Sequence, residues 1–204
     1  MSLSAALWRA SADAAAAALA CPFVRGLGDG SLPLPAFQVY VAQDAVFLES
    51  FARAYALALA RSRDRATLEA FADLVAGVLA ELRLHAAYAE RWGTVAAAEP
   101  LPATSAYTDF LLATAALGEV GEICAAMAPC MRLYAHLGQS LDARAAGPYG
   151  EWVRAYADPG FEALAATLEA LLDRHAQDGP QVRRAYRRAM ELELGFFAGA
   201  LSAS

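Results

Sequence analysis

The sequence is poor in the residues that build cross-linked or metal-centred proteins. Three cysteines in 204 residues cannot make a disulfide framework, and an odd count suits a reducing compartment. Cys124 and Cys130 stand six apart on one helical stretch and so point in different directions. Histidine is equally scarce, at three residues. A carboxylate-bridged di-metal bundle needs Glu-x-x-His on two helices, and the chain repeats no such pair. Glu81 and His85, at i and i+4, could supply two ligands, but a metal site needs three or four. The pair reads as an intrahelical hydrogen bond, and no metal is expected. Charge is also low: 19% of residues are charged and the net charge is −6, which argues against a nucleic-acid surface. The only basic concentration, Arg183-Arg184 with Arg187-Arg188, reads as the solvated face of a late helix. No long apolar run occurs. The alanine tract from Ala14 to Ala20 is far too short to span a bilayer, follows Asp13, and is not led by a basic segment. A soluble, cytoplasmic protein with no membrane partner is the expectation.

No segment alternates with period 2, and there is no internal repeat, linker or low-complexity tail. What is present is apolar side chain, 58% AVILMFWYC with alanine prominent, on a chain long enough to bury a core. Apolar residues at three-to-four spacing predict helices over residues 4–20, 35–61, 66–92, 104–117, 119–142, 147–156, 161–177 and 181–201. Pro and Gly separate them, at Cys21-Pro22, at Glu99-Pro-Leu-Pro102, at Asp158-Pro-Gly160 and at Asp178-Gly-Pro180. The stretch Gly26-Leu-Gly-Asp-Gly30 follows no strand and precedes no Lys-Ser/Thr, so neither nucleotide-binding fingerprint is complete. It reads as a loop whose glycines supply positive φ. The expectation is a single all-α domain over residues 1–204.

Three positions break the apolar pattern. Asp44 lies on the same helical stripe as Tyr40, Phe47 and Phe51, and Glu193 sits among Tyr186, Met190, Phe196 and Phe197. A buried carboxylate is costly unless paired, so each has either a structural partner or a ligand. Cys130 and Tyr134, four apart, share one helix face, and Pro129 directly precedes the thiol. A mid-helix proline forfeits a backbone hydrogen bond, and that distortion could aim the thiol. A nucleophile with a phenolic neighbour and a pair of core residues are both compatible with this spacing.

Taken in order, the motifs Pro22-Phe-Val-x-Gly26-x-Gly-Asp-Gly30-Ser-Leu-Pro33 and Phe37-x-x-Tyr40-x-x-Gln43-Asp44 resemble the thiaminase II (TenA) family. The resemblance continues through Tyr107-Thr-x-Phe-Leu-Leu, Pro129-Cys130-x-x-x-Tyr134-x-x-x-Gly138, Tyr149-x-x-Trp152-Val-x-x-Tyr156 and Glu193-x-x-Phe196-Phe197. It implies a helical bundle of the haem-oxygenase-like fold, without haem or other cofactor, commonly a homotetramer (a homodimer is the smaller option). It also implies a hydrolase of thiamin salvage that converts 4-amino-5-aminomethyl-2-methylpyrimidine to the hydroxymethyl pyrimidine, many members also cleaving thiamin. Carried over by motif, Cys130 matches the nucleophile and Glu193 the acid/base near the leaving group. Asp44 matches the carboxylate on the ring's amino edge, and Tyr107, Tyr134 and Tyr156 the pocket hydroxyls. Phe47 would stack on the flat ring. A thiolate suits attack on a soft, electron-poor ring carbon, given a neighbour that lowers the thiol's pKa. Phe47 stands where the family often has tyrosine, so one hydroxyl is lost and thiamin is not assigned as substrate. Cys21 replaces a common histidine, and Phe-Phe replaces Phe-Trp near the end; both read as packing changes. Two other readings compete: a same-fold oxidase of cofactor biosynthesis, which would want several histidines, and a non-catalytic ligand-binding or regulatory protein.

Overall fold

Prolines, caps and glycines punctuate the chain into ten α-helices among the residues the structure describes. The structure is a computed structural model describing residues 1–94 and 99–203. The helices are α1 (Leu3–Ala10), α2 (Ala12–Ala20), α3 (Pro22–Asp29), α4 (Leu34–Arg61), α5 (Arg65–Trp92), α6 (Pro102–Leu117), α7 (Val120–Ser140), α8 (Gly150–Tyr156), α9 (Pro159–His175) and α10 (Pro180–Ser202). A single 3-10 turn, Gly147–Tyr149, leads into α8. No strand occurs among the described residues, in accord with the all-α expectation. No helix among them is long and apolar enough to cross a membrane.

Two local expectations are corrected. The first predicted helix is two, because Ser11 leaves helical geometry and its hydroxyl bonds back to the Leu7 carbonyl at 3.0 Å. Such a bond offers the backbone an alternative to the helical ladder. The predicted glycine loop is mostly helix: α3 runs through Gly26 and Gly28, started by Pro22 at its first turn, and only Gly30 has positive φ, at 78°. Pro22 pre-sets a helical φ and lacks a donor the first turn would leave unpaired anyway. Its neighbour Cys21 is held extended, as a residue before proline prefers.

The bundle is organised around α7. From Gly121 to Gly138 nearly every side chain of α7 is buried, with α9, α10, α8 and α6 packed around it. α4 spans 28 residues, about 42 Å of helix. It lies against α5 and α6 with Phe37, Tyr40, Asp44, Phe47, Phe51 and Tyr55 turned inward. Where α7 meets the end of α8, the helices nearly touch. A Cβ on Gly138 would stand 2.5 Å from the Tyr156 carbonyl carbon and 2.6 Å from the Ala157 nitrogen, so only glycine admits this approach. On another side of α7, Arg132 reaches α9, making paired bonds to Glu169 (2.8 and 2.6 Å) and two more to Glu162 (2.7 and 2.9 Å). The basic cluster on α10 is exposed, as expected: Arg183 pairs with Asp178 and Arg188 with Glu191 at the surface.

Candidate active site

Five helices converge on one enclosed cavity. α4 contributes Asp44, Phe47, Leu48 and Phe51, and α5 contributes Glu81. α7 adds Cys130, Met131 and Tyr134, while Tyr156 closes it from the end of α8 and Phe161 from the start of α9. The cavity is about 10 Å³, room for roughly one water. Asp44, Phe47, Cys130, Tyr134 and Tyr156, all singled out from the sequence, therefore meet on its wall.

The local structure accounts for these placements. Residues four apart on a helix share a face, which puts Asp44 and Leu48 on the cavity side of α4, and Cys130 and Tyr134 on that of α7. Pro129 removes one N–H from the ladder, yet α7 continues unbroken past it. The close approach at Gly138 brings Tyr156 against Tyr134, with ring centroids 4.8 Å apart edge to face. Trp152 Nε1 donates to the Tyr40 hydroxyl at 3.0 Å, and Tyr40 donates onward to Tyr134 at 3.4 Å. That chain fixes Tyr134 from behind.

Tyr107 and Glu193 stand one layer out. Neither is on the cavity wall; the Tyr107 hydroxyl donates to Glu193 Oε1 at 2.7 Å. Glu193 is 1% exposed and lies near enough to the Cys130 thiol for each group to shift the other's pKa. The Tyr107 ring also packs on Phe47, at 4.7 Å between centroids. Glu193 is thus placed beside the sulfur rather than facing the cavity.

Two residues that the sequence argument left as a local pair belong to this site. Glu81 accepts from the Tyr156 hydroxyl at 2.8 Å, and His85 Nε2 lies 3.0 Å from Asp44 Oδ2. Each reaches a different helix, so the expected intrahelical role gives way to two interhelical ones. Their i, i+4 spacing was the available signal, but spacing does not reveal what faces a helix. Gln43 was also overlooked as a support. It accepts from Leu101 N–H (2.8 Å) and Thr104 (2.6 Å) and donates to the Glu99 carbonyl (3.1 Å), which anchors the start of α6 and so Tyr107.

Electrostatics follow from burial. Glu193 is pushed up to about 7, first by burial and then by Asp44, while hydrogen bonds from Tyr107 and Cys130 oppose the rise. Glu81 is likewise raised to about 7, mainly by burial and then by Asp44, against Tyr156 and His85. For His85, burial disfavours the imidazolium, but Asp44 outweighs it and the pKa is raised. Burial also lifts Cys130 well above the usual thiol range, and the negative Glu193, Asp44 and Glu81 lift it further. Among the described residues no group lowers it, contrary to the expectation of a pKa-lowering neighbour. Cys130 rests as a thiol, and ionising it requires a base that accepts its proton.

An outer groove shares part of the cavity wall. An open groove of about 520 Å³ between α5, α8 and α9 shares Glu81, Tyr156 and Phe161 with the cavity wall. The Phe161 ring stands edge-on to Tyr156, 4.9 Å between centroids, and completes the partition. A separate surface groove of about 660 Å³ between α6 and α10 contains none of these site residues. The three histidines do not converge: His85 meets Asp44, His136 packs edge-on to Trp8 at 5.5 Å, and His175 bonds Thr67 at 2.8 Å.

Fold and cavity together define an all-α protein with a small internal pocket lined by aromatics, carboxylates and a thiol. The chain belongs to the TENA/THI-4/PQQC family, whose sequence profile matches residues 9–203. It is 38% identical over 165 residues to the aminopyrimidine aminohydrolase of Halalkalibacterium halodurans, covering 76% of this chain and 74% of that protein. It is 34% identical over 208 residues to the bifunctional mitochondrial TH2 protein of Arabidopsis thaliana, covering 86% of this chain but only 33% of that longer protein. Among solved structures, a TenA family transcription regulator of a Silicibacter species superposes with a TM-score of 0.90 at 32% identity, covering 98% of this chain and 97% of that one.

Proposed function

We propose that this protein is an aminopyrimidine aminohydrolase of thiamin salvage, converting 4-amino-5-aminomethyl-2-methylpyrimidine and water to the 5-hydroxymethyl pyrimidine and ammonia. The observation that carries this reading is the buried Cys130 thiol on a cavity wall shared with Asp44 and Phe47, with Glu193 coupled to it. The name borne by the Halalkalibacterium relative supports the same reaction. The dispersal of the three histidines speaks against the oxidase reading.

In this scheme Glu193, as a carboxylate, accepts the Cys130 proton, and the thiolate adds to an electron-poor ring carbon. Asp44 holds the ring's amino and nitrogen edge through charge-assisted hydrogen bonds, and Phe47 lies against the ring face. The adduct expels ammonia from the exocyclic methylene as Glu193 passes the proton it holds to the departing nitrogen. Water then adds to that carbon and gives a proton to the Glu193 carboxylate, the C–S bond breaks, and the sulfur regains its proton from Glu193. Tyr134 and Tyr156 border the substrate, and Tyr107 acts through Glu193. No cofactor or metal enters the scheme. A single domain, a cytoplasmic location and a homotetrameric or homodimeric assembly complete the proposal.

Ammonia release by the purified protein given the aminomethyl pyrimidine tests it. Turnover that disappears in Cys130→Ala, with the fold retained by circular dichroism, is the expected result. Unchanged release in Cys130→Ala would overturn the nucleophile, and no release by the unmodified protein would overturn the reaction.

A further inference from the structure

Asp44 is backed by a group that does not itself reach the cavity. His85 Nε2 on α5 lies 3.0 Å from Asp44 Oδ2 on α4, and both side chains are buried. His85 is not on the cavity wall; it borders a separate void of about 30 Å³ with Tyr40, Trp152 and Tyr156. It therefore meets a ligand in the cavity only through Asp44. The titratable groups coupled to Asp44 are Tyr40 on its own helix, Glu81 and His85 on α5, Cys130 and Tyr134 on α7, Tyr156 on α8 and Glu193 on α10. Every member of that set except His85 is neutral or negative in both of its protonation states. The His85 imidazolium is thus the counter-charge within the set, and a buried carboxylate needs one. Burial works against the imidazolium, but Asp44, with Glu81 behind it, outweighs burial.

We propose that His85 is a positioning residue that holds Asp44 as an anion and so makes the pocket selective for a 4-aminopyrimidine over its 4-oxo analogue. The inference rests on the ring orientation proposed above, with the amino group and the adjacent ring nitrogen at Asp44. A carboxylate only accepts hydrogen bonds, whereas a carboxylic acid also donates one. An aminopyrimidine presents two donors to the carboxylate once its ring nitrogen takes a proton from solvent on binding, and its positive charge then faces the anion. The 4-oxo compound presents one donor, its ring N–H, while its carbonyl oxygen turns a lone pair toward the anion. That oxygen is too weakly basic to be protonated there. An Asp44 that carried its own proton would lose the distinction. Its O–H could donate to the bare ring nitrogen of the amino compound or to the carbonyl of the oxo compound. Its other oxygen would accept from the amino group of the one or the ring N–H of the other. The charge on Asp44 therefore sets the selectivity, and His85 sets the charge.

Titration calorimetry with two ligands tests this without turnover. The ligands are 4-amino-5-hydroxymethyl-2-methylpyrimidine and 5-hydroxymethyl-2-methylpyrimidin-4-one, each run at pH 7.5 in phosphate and in Tris. The two buffers differ in ionisation enthalpy, so the difference in heat counts the protons taken up on binding. His85→Gln keeps a polar group at Asp44 but carries no positive charge, so Asp44 holds the proton instead. The unmodified protein should take up about one proton more per aminopyrimidine bound than His85→Gln does. The preference for the amino over the oxo compound should fall at least about tenfold in the variant, the cost of one mispaired buried group. A purely structural role for His85 would weaken both ligands alike and leave the proton count unchanged; that result would overturn the assignment. Asp44→Asn removes the charge directly with His85 in place and should bring the same two changes. If His85→Gln does not fold, as judged by circular dichroism, an Asp44→Asn protein with the unmodified proton count and preference would overturn it equally. Failure of the unmodified protein to bind either pyrimidine would refute the pocket assignment and this inference with it. Binding of the aminopyrimidine with the expected proton uptake, but no ammonia release from the aminomethyl compound, would refute the reaction alone and support the role of His85.

Discussion

Replacing Glu193 with glutamine should make the protein more stable at alkaline pH while disabling it. The carboxyl is held at about 7 in the folded chain against 4.5 when exposed. A carboxylate whose folded pKa is raised makes the native state bind the extra proton, so stability falls as pH climbs from about 4.5 to about 7 and stays low above that. At pH 8 the cost of ionising this one buried group is about 3 kcal/mol. Glutamine keeps an oxygen to accept from Tyr107 and carries no charge, so it removes that cost. For a chain of this length the gain corresponds to roughly 6–12 °C in melting temperature. Urea titrations of both proteins at pH 5 and pH 8 measure it. The expected result is a gap of about 3 kcal/mol at pH 8 that nearly closes at pH 5. Equal stabilities at the two pH values, or a less stable variant at pH 8, would refute the argument that burial of an ionisable carboxyl strains this site.

Two further outcomes follow from the same geometry. Tyr107→Phe removes the hydrogen bond that pulls the Glu193 pKa down, so the acid limb of the kcat/KM profile should move to higher pH, with reduced activity at pH 7 that recovers as pH rises. Gly138→Ala places a methyl 2.5 Å from the Tyr156 carbonyl carbon; because backbone rather than a flexible side chain is in the way, it should cost about 1–3 kcal/mol, and urea denaturation reads it directly.

The helices and much of the site were legible because both rest on local spacing. α4 and α5 were expected to within a residue at each end, since a continuous three-to-four stripe and flanking prolines or caps are properties of the sequence itself. The charged anomalies on apolar stripes, Asp44 and Glu193, were visible for the same reason, and the motif order carried the family. The misread glycine segment shows the limit of local reasoning. Gly26 and Gly28 lie in α3 despite their low helix propensity, because packing decides such short segments.

What the sequence by itself determined, then, is the all-α class, the helix register and a roster of chemical groups each tied to a helix face. Only the tertiary structure decided which of those faces meet. Position along α5 could not say that Glu81 would turn to Tyr156 on α8, or that His85 would turn to Asp44 on α4. Nor could position along α10 say that Glu193 would end beside the Cys130 sulfur instead of in the cavity. Protonation states were hidden for the same reason: the rise of both glutamates toward 7 and of the thiol beyond its usual range comes from burial and from charges on other helices. Those quantities come into being when helices pack, because desolvation and through-space Coulomb terms depend on distances that residue numbers do not contain.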